Sequence, residues 1–502
     1  MKGENMKDTL KGLCLAWLLF PLTSSFSPLS AQDWHDISLH REITHPQPMT
    51  GLVLWPDQAK SKNATYGKSI QLEFAYCLPC KVVTGCLEDG TIQYDWSSFE
   101  TLLDQVASRK HQLVARFRYE YPSGKDVDGQ KGTTAVPAYI KARDDYHETY
   151  SADPGGDGPT YYADWSNEEL QRFTLQFYTD FAERYAHDPR IAFLEVGFGH
   201  WSEYHIYGTQ LELGTNFPSK DYQKKFFRHL NSVMDGLPWL VSIDAGDDYY
   251  SPIATTSTMT SMRFGLFDDS FMHEGHEIAD GSGWNESLWN AIGKGSRWRR
   301  GVCGGEISYY KSSDQKNFLN PAGMYGHTWE EAASKYHITF MIANDAPGST
   351  YGTASRFREA SMATGYRLAV KECQTDGQST RLLVTNEGIA PLYRDAFFAI
   401  GDVRSEQTLK GLLPGKTLEV TINAVPETDG SNIKVVSDCI LPSQEIEFYA
   451  DLEAADAIKV PLQTCLETKY YNLAGQEIAG PSRGITICRN EHSVRKVLSS
   501  QD

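Results

Sequence analysis

Eight short apolar, β-rich runs recur along the first two thirds of this chain, with helix-period segments between them. They span residues 51–55, 70–76, 112–117, 191–196, 239–243, 262–267, 300–303 and 337–342. Near-continuous apolar runs of this length read as strands covered on both faces, as in a parallel sheet. Between them Phe99, Leu102, Leu103 and Val106 fall at helical spacing, as do Leu170, Phe173, Phe177, Phe181 and Tyr185. Less regular helical patterns run through 222–234 and 329–336. Eight strands with helices interspersed predict an α/β fold, a (β/α)8 TIM barrel over residues 32–367.

The texture changes after that. Residues 382–385, 397–400, 417–421 and 446–449 are short strand-like runs separated by Gly, Pro and Asp turns. No helix-period run of any length accompanies them, which predicts a small antiparallel β-sandwich over 368–454. A last β-rich unit, 455–502, carries the runs 470–475 and 484–488.

The first 31 residues have a different character. Lys2, Lys7 and Lys11 precede or open an apolar stretch from Leu10 to Leu22, and a small-residue segment follows to Ala31. This is the layout of a cleavable secretory signal over 1–31, too short for a comfortable membrane span. No later segment reaches spanning length, so an exported, soluble chain is expected. Export permits disulfides. Cys77-x-x-Cys80 with Cys86 nearby reads as a loop-tying disulfide, with free thiols or part of a zinc knuckle as alternatives. Cys303, beside Val302, reads as a small buried hydrophobe.

Composition narrows the partners. With 65 acidic against 47 basic residues and a net charge of −18, a nucleic-acid-binding surface is disfavoured. Forty per cent apolar residues can build a sizeable core, which excludes disorder as the main state. Eleven Trp, 27 Tyr and 22 Phe permit a sugar-stacking cleft, or equally a large core.

In a barrel, reactive groups sit where strands end at the C-terminal face. The fourth run leads into Gly197-Phe-Gly-His-Trp-Ser-Glu203-Tyr-His205, and the seventh into Cys303-Gly-Gly-Glu306. Paired carboxylates suit glycosidic cleavage: one protonates the leaving oxygen, the other attacks the anomeric carbon or activates water. Glu203 is therefore expected as general acid/base and Glu306 as nucleophile, against a purely structural role for each. Glu195 stands in reserve, and a structural pairing with Arg116 is expected for it. Arg116 and Arg118 share a face of strand three, so one is expected to orient a catalytic carboxylate, the alternative being a barrel-filling ion pair. His200, Trp201 and His205 are expected at the substrate, with packing as the alternative for the first two. Asp244, Tyr249 and His273 are further substrate-side candidates. For the acidic residues after strands five and six, a solvated loop is the simpler account.

Metal is not expected. His200, Glu203 and His205 spell H-x-x-E-x-H, and His273-Glu-Gly-His276 adds donors, but neither has the helical H-E-x-x-H zinc spacing. The Gly-rich stretch 155–158 lacks the Lys-Ser/Thr of a phosphate loop. No cofactor is expected.

An acid/base on strand four with a nucleophile on strand seven resembles the large clan of retaining, β-galactosidase-like glycosidases built on TIM barrels. Tyr94-Asp-Trp96 and its surroundings loosely resemble a region of those members. More closely, His45-Pro-Gln-Pro-Met-Thr-Gly51, Gly199-His-Trp-Ser-Glu-Tyr-His205 and Gly304-Gly-Glu306 resemble a secreted bacterial family known only as a domain of unknown function, over residues 38–449. The clan's usual Asn before the strand-four Glu is replaced here by Ser202. The resemblance implies an exported glycoside hydrolase acting on an oligo- or polysaccharide. The alternative is a non-catalytic glycan-binding surface protein on the same barrel. The tail, Tyr471-Asn-Leu-Ala-Gly-Gln476 with Gly484-Ile-Thr-Ile487, resembles the C-terminal sorting domain of the type nine secretion route, the alternative being an ordinary terminal β-domain. It implies a bacterial protein engaged by that secretion machinery, at the outer-membrane surface, extracellular or periplasmic.

Overall fold

The computed structural model describes residues 34–122, 126–127, 130–131, 133–277, 283–343, 350–454, 469–479, 484–490 and 493–499. The expected signal, 1–31, lies outside them. Eight parallel strands close into a barrel in chain order: β1 (Gly51–Leu54), β2 (Leu72–Cys77), β3 (Gln112–Phe117), β4 (Ile191–Val196), β5 (Trp239–Ser242), β6 (Gly265–Phe271), β7 (Cys303–Ile307) and β8 (Phe340–Ile342). The ring shuts where Phe340 pairs with Gly51.

Two strands run further toward the C-terminal mouth than their sequence implies. Leu266, Phe267 and Asp268 of β6 pair with Cys303, Gly304 and Gly305 of β7. The ladder thus carries Asp268 and both glycines, which have low strand propensity, into regular sheet. These glycines are needed for close approach. A Cβ on Gly304 would lie 2.5 Å from the Phe340 ring, and one on Gly305, at φ 145°, would lie 2.0 Å from the Asp268 carbonyl oxygen.

The principal outer helices are α1 (Ser97–Ser108), α2 (Glu168–Tyr185), α3 (Lys220–Val233), α4 (Trp284–Ala291), α5 (Trp329–Lys335) and α6 (Ala354–Met362). Helix α2 shows why they form. The Asn167 side chain caps it by accepting from the Leu170 N–H, Glu168 and Glu169 occupy its first turn, and the five apolar residues spaced in the sequence are all buried. Alternation divides the strands: Leu113, Ala115, Phe117, Leu194 and Val196 pack outward with α1 and α2. Phe74, Val114, Phe193, Leu240, Phe267 and Phe340 belong to a second, inner cluster.

That inner cluster continues into the next unit, whose strands are β9 (Leu368–Thr375), β10 (Thr380–Asn386), β11 (Phe397–Ile400), β12 (Thr417–Ile422), β13 (Ile433–Val436) and β14 (Phe448–Leu452). They form two sheets that are antiparallel except for one parallel pairing, β9 with β14. The short strands His35–Asp36 and Leu39–Arg41 pair with β9 and β14, so the chain enters through this unit before starting the barrel. Strands within 469–499 form a separate four-stranded antiparallel sheet.

Among the described residues the expected disulfide does not form: Cys77, Cys80 and Cys86 are not bonded to one another, and Cys303, Cys373 and Cys439 likewise take part in no disulfide. Cys77 is buried at the end of β2, where burial pushes its thiol up to about 12. Cys86 lies on the hairpin beyond, beside the Arg172 guanidinium. The side chains of Cys465 and Cys488 lie outside the described residues. Among the described residues no helix is long and apolar enough to cross a membrane.

Candidate active site

Register builds the site. Tyr76 on β2 and Glu195 on β4 both pair with Arg116 on β3, which puts the three at one level near the mouth. All three belong to the inward-facing set of their strands. The Arg116 guanidinium is fully buried and packs 4.4 Å from the centre of the Phe267 ring and 4.9 Å from that of Phe74. Its Nε donates to Glu195 Oε2 at 2.7 Å, as the sequence led one to expect. One terminal nitrogen donates to Glu203 Oε1, and the other lies 3.6 Å from Glu306 Oε1. One cation thus touches the two expected catalytic carboxyls and the reserve.

Glu203 reaches this point on a tightly folded loop. After β4 the chain turns back on itself, with Trp201, Ser202 and Tyr204 all at positive φ. Such backbone is costly for residues with a Cβ and persists where surroundings over-determine it. The Ser202 hydroxyl donates to the Phe117 carbonyl at 3.0 Å, the Trp201 N–H to the Glu120 carbonyl, and the Tyr204 N–H to the Phe198 carbonyl. A Cβ on Gly197 would meet the Ser202 carbonyl oxygen at 2.1 Å. The Tyr76 hydroxyl donates to Glu203 Oε1 at 3.0 Å. Glu306 needs no such loop, since β7 carries it directly.

Six carboxyls crowd the mouth: Glu195, Glu203, Glu306, Asp244, Asp268 and Asp269. Burial, with repulsion from Asp269 and Glu306, holds the Glu203 carboxyl well above its ordinary range despite Arg116. Burial likewise pushes Glu306 up to about 8, against the pull of Arg116 and helped by Asp269 and Glu195. Asp269, itself held above its ordinary range by burial and by Asp268, is one of the charges that raise Glu203. Asp268 behaves oppositely. Burial resists its ionisation, but His276 Nε2 at 2.9 Å, Trp289 Nε1 at 3.0 Å and the Ser270 N–H outweigh it and keep its carboxyl low. The cluster therefore sets carboxyls held high, Glu203 and Glu306 among them, beside one held low, Asp268.

The remaining expected residues divide. Arg118 is buried over the Tyr121 ring at 4.4 Å and contacts none of the catalytic carboxyls. His200 is fully buried, stacked 5.3 Å from Tyr162. Trp201 makes edge contacts with Tyr121, His200 and His205. Asp244 is buried beside Asp268 and Asp269, with its carboxyl held well above the usual range by burial and by those neighbours. Tyr249 is 66% exposed on the rim. His273 is spent locally, its Nε2 on Asn285 Oδ1 at 2.7 Å and its Nδ1 accepting from the Gly275 N–H.

The solvated-loop account of the acidic residues holds for Asp248 and fails for Asp244 and Asp268, which are buried because β6 extends past them or packs beside them. Sequence reasoning missed Tyr76 and Asp269 as contacts of Glu203, and the rim aromatics Trp284, Tyr309 and Tyr310, which are 50%, 50% and 69% exposed. Tyr309 and Tyr310 follow Glu306 by only three and four residues, a signal that was available.

In its chain trace the protein is similar to endo-glycoceramidase II from Rhodococcus sp., with a TM-score of 0.38 and 11% identity over 77% of this chain and 99% of that one. It is also similar to the catalytic domain of β-amylase from Paenibacillus polymyxa (0.38, 12%, 63% and 99%). A third likeness is to a GH39 β-xylosidase from Caulobacter crescentus (0.35, 12%, 72% and 85%). No family model and no curated protein matches the chain.

Proposed function

We propose that this chain is a glycoside hydrolase in which Glu203 donates the proton to the leaving oxygen and Glu306 faces the anomeric carbon. The observation that carries the reading is the shared guanidinium. Arg116 contacts both carboxyls at the C-terminal mouth of the barrel, so they stand close enough to flank one sugar. Glu203, its carboxyl held high by burial, is poised as the acid, and Glu306, held at about 8, attacks from its ionised form, toward which Arg116 pulls it. Exposed Tyr249 in the loop after β5, Trp284 at the start of α4 and Tyr310 in the loop after β7 offer apolar ring faces to a carbohydrate at the rim.

The test is turnover on a panel of aryl glycosides and polysaccharides. Glu203→Gln and Glu306→Gln should each lower kcat/KM by at least about 10³-fold, the order expected when an acid or a nucleophile is removed. Activity surviving both substitutions would sink the assignment. A glycan-binding barrel without chemistry is the second reading, favoured by the ion pair that Arg116 makes to Glu203. It expects saturable sugar binding, no turnover and little dependence on Glu306. The 455–502 tail we assign to export to the cell surface, on its resemblance to sorting domains; deleting it should leave the protein inside the cell envelope.

A further inference from the structure

A second cluster lies just behind the loop that carries Glu203. The segment 121–164 contributes a hairpin, Thr149–Ser151 with Thr160–Tyr162, whose connection runs through Pro154–Gly156. That connection rests against the β4 loop: a Cβ on Gly208 would come 3.0 Å from Gly155 Cα, and one on Gly155, at φ 71°, would come 3.2 Å from the Tyr207 carbonyl oxygen. The contact delivers Asp157 to His200 and His205. His205 Nε2 lies 2.9 Å and His200 Nδ1 3.5 Å from Asp157 Oδ2, and one donor atom from each residue falls within 4.8 Å of the others.

The His200 side chain has no exposed surface, and neither of its ring nitrogens has a well-formed hydrogen bond. A buried imidazole left so is costly, and such groups call for an explanation. A divalent cation supplies one. Bonds of about 2.0–2.1 Å to a tetrahedral zinc ion place neighbouring ligand atoms about 3.3 Å apart, and the two observed spacings straddle that value. Two imidazoles with one carboxylate favour a borderline transition ion over Ca²⁺ or Mg²⁺, which prefer all-oxygen shells. The helical spacing rule did not find this set because the left-handed turn at Trp201, Ser202 and Tyr204, not a helix, brings His200 opposite His205.

We propose that Asp157, His200 and His205 bind one Zn²⁺, which staples the 149–162 hairpin to the loop bearing Glu203. The site is independent of the hydrolase assignment. The experiment uses the full chain, stripped with chelator and titrated with Zn²⁺ by calorimetry and elemental analysis. One equivalent is expected to bind with a micromolar or tighter Kd, to raise Tm by several degrees, and to slow proteolysis within 149–162 at least about tenfold. Asp157→Asn and His205→Gln, both at partly exposed positions, should each weaken binding at least about a hundredfold. Co²⁺ in place of zinc reports the donors without any substitution: a tetrahedral visible spectrum lacking a thiolate charge-transfer band is expected. Binding unchanged in both variants, a thiolate band assigning the metal to cysteine, or no stoichiometric binding would each overturn the proposal.

Discussion

Arg116 decides what the mouth of this barrel can be. A buried guanidinium without partners would be untenable, and several buried carboxyls without a cation equally so. Set among Glu195, Glu203 and Glu306, it satisfies both demands only in part, since one positive charge cannot neutralise three negative ones. The surplus is taken up as protons. Glu306, at about 8, shows the consequence with a definite sign. Its ordinary unfolded value is about 4.3, so between about pH 4.3 and 8 the folded protein holds a proton that the unfolded chain releases. Across that window stability falls as pH rises. Glu306→Gln removes the penalty: urea denaturation should find the variant equal to the parent near pH 4.5 and more stable at pH 8. A variant less stable at pH 8 would mean that the contact with Arg116 outweighs burial. Glu203, Glu306, Arg116 and Glu195 were legible because each follows from a strand's end or its alternation. Tyr76, Asp269 and Asp157 were not, since their roles depend on which loops meet across the barrel, and no local pattern records that.

The elements were legible to different depths for a physical reason. Strands β3 and β4 carry apolar and β-branched runs bounded by sharp breaks, and their limits in the structure match those in the sequence. At β6 and β7 the rich part of the sequence ends early, and the strands continue through Asp268, Gly304 and Gly305 because each ladder supplies the other's hydrogen bonds. The loop after β4 is the opposite case, with backbone geometry fixed by close approach rather than by pairing. Gly197 lies so near the Ser202 carbonyl that any side chain must push the loop outward. Gly197→Ala should therefore leave the barrel folded, with a stability loss of about 1–3 kcal/mol from overpacking. It should lower kcat/KM about a hundredfold by displacing Glu203, a scale typical of a shift near 1 Å. Circular dichroism with a turnover assay checks both parts. Unchanged activity would show that Glu203 tolerates displacement and is not the acid.

At the scale of the molecule, the barrel and the sandwich are not independent bodies. Phe74, Phe193, Phe267 and Phe340 from the barrel interior belong to the same apolar cluster as Leu382, Phe398, Val420 and Phe448 from the sandwich. Polar ties reinforce the seam: the buried Arg394 guanidinium donates to the carbonyls of Ile191 at 2.7 Å and Ala186 at 3.2 Å, and Gln112 Nε2 donates to those of Pro189 and Cys439. The strands at 35–41 close the seam from the N-terminal side. The change of texture near residue 368 marked a change of architecture truly, yet it concealed that both architectures bury one core, because a shared core leaves no compositional edge. A fragment of 32–367 should accordingly expose the base of the barrel and aggregate, whereas 34–454 should unfold in one cooperative transition. Arg394→Ala should destabilise that unit by about 2 kcal/mol or more, since it strands buried carbonyls on the barrel side. Calorimetry decides it: two separable transitions in 34–454, or a soluble and cooperatively folded 32–367, would mean that the sandwich merely adjoins the barrel.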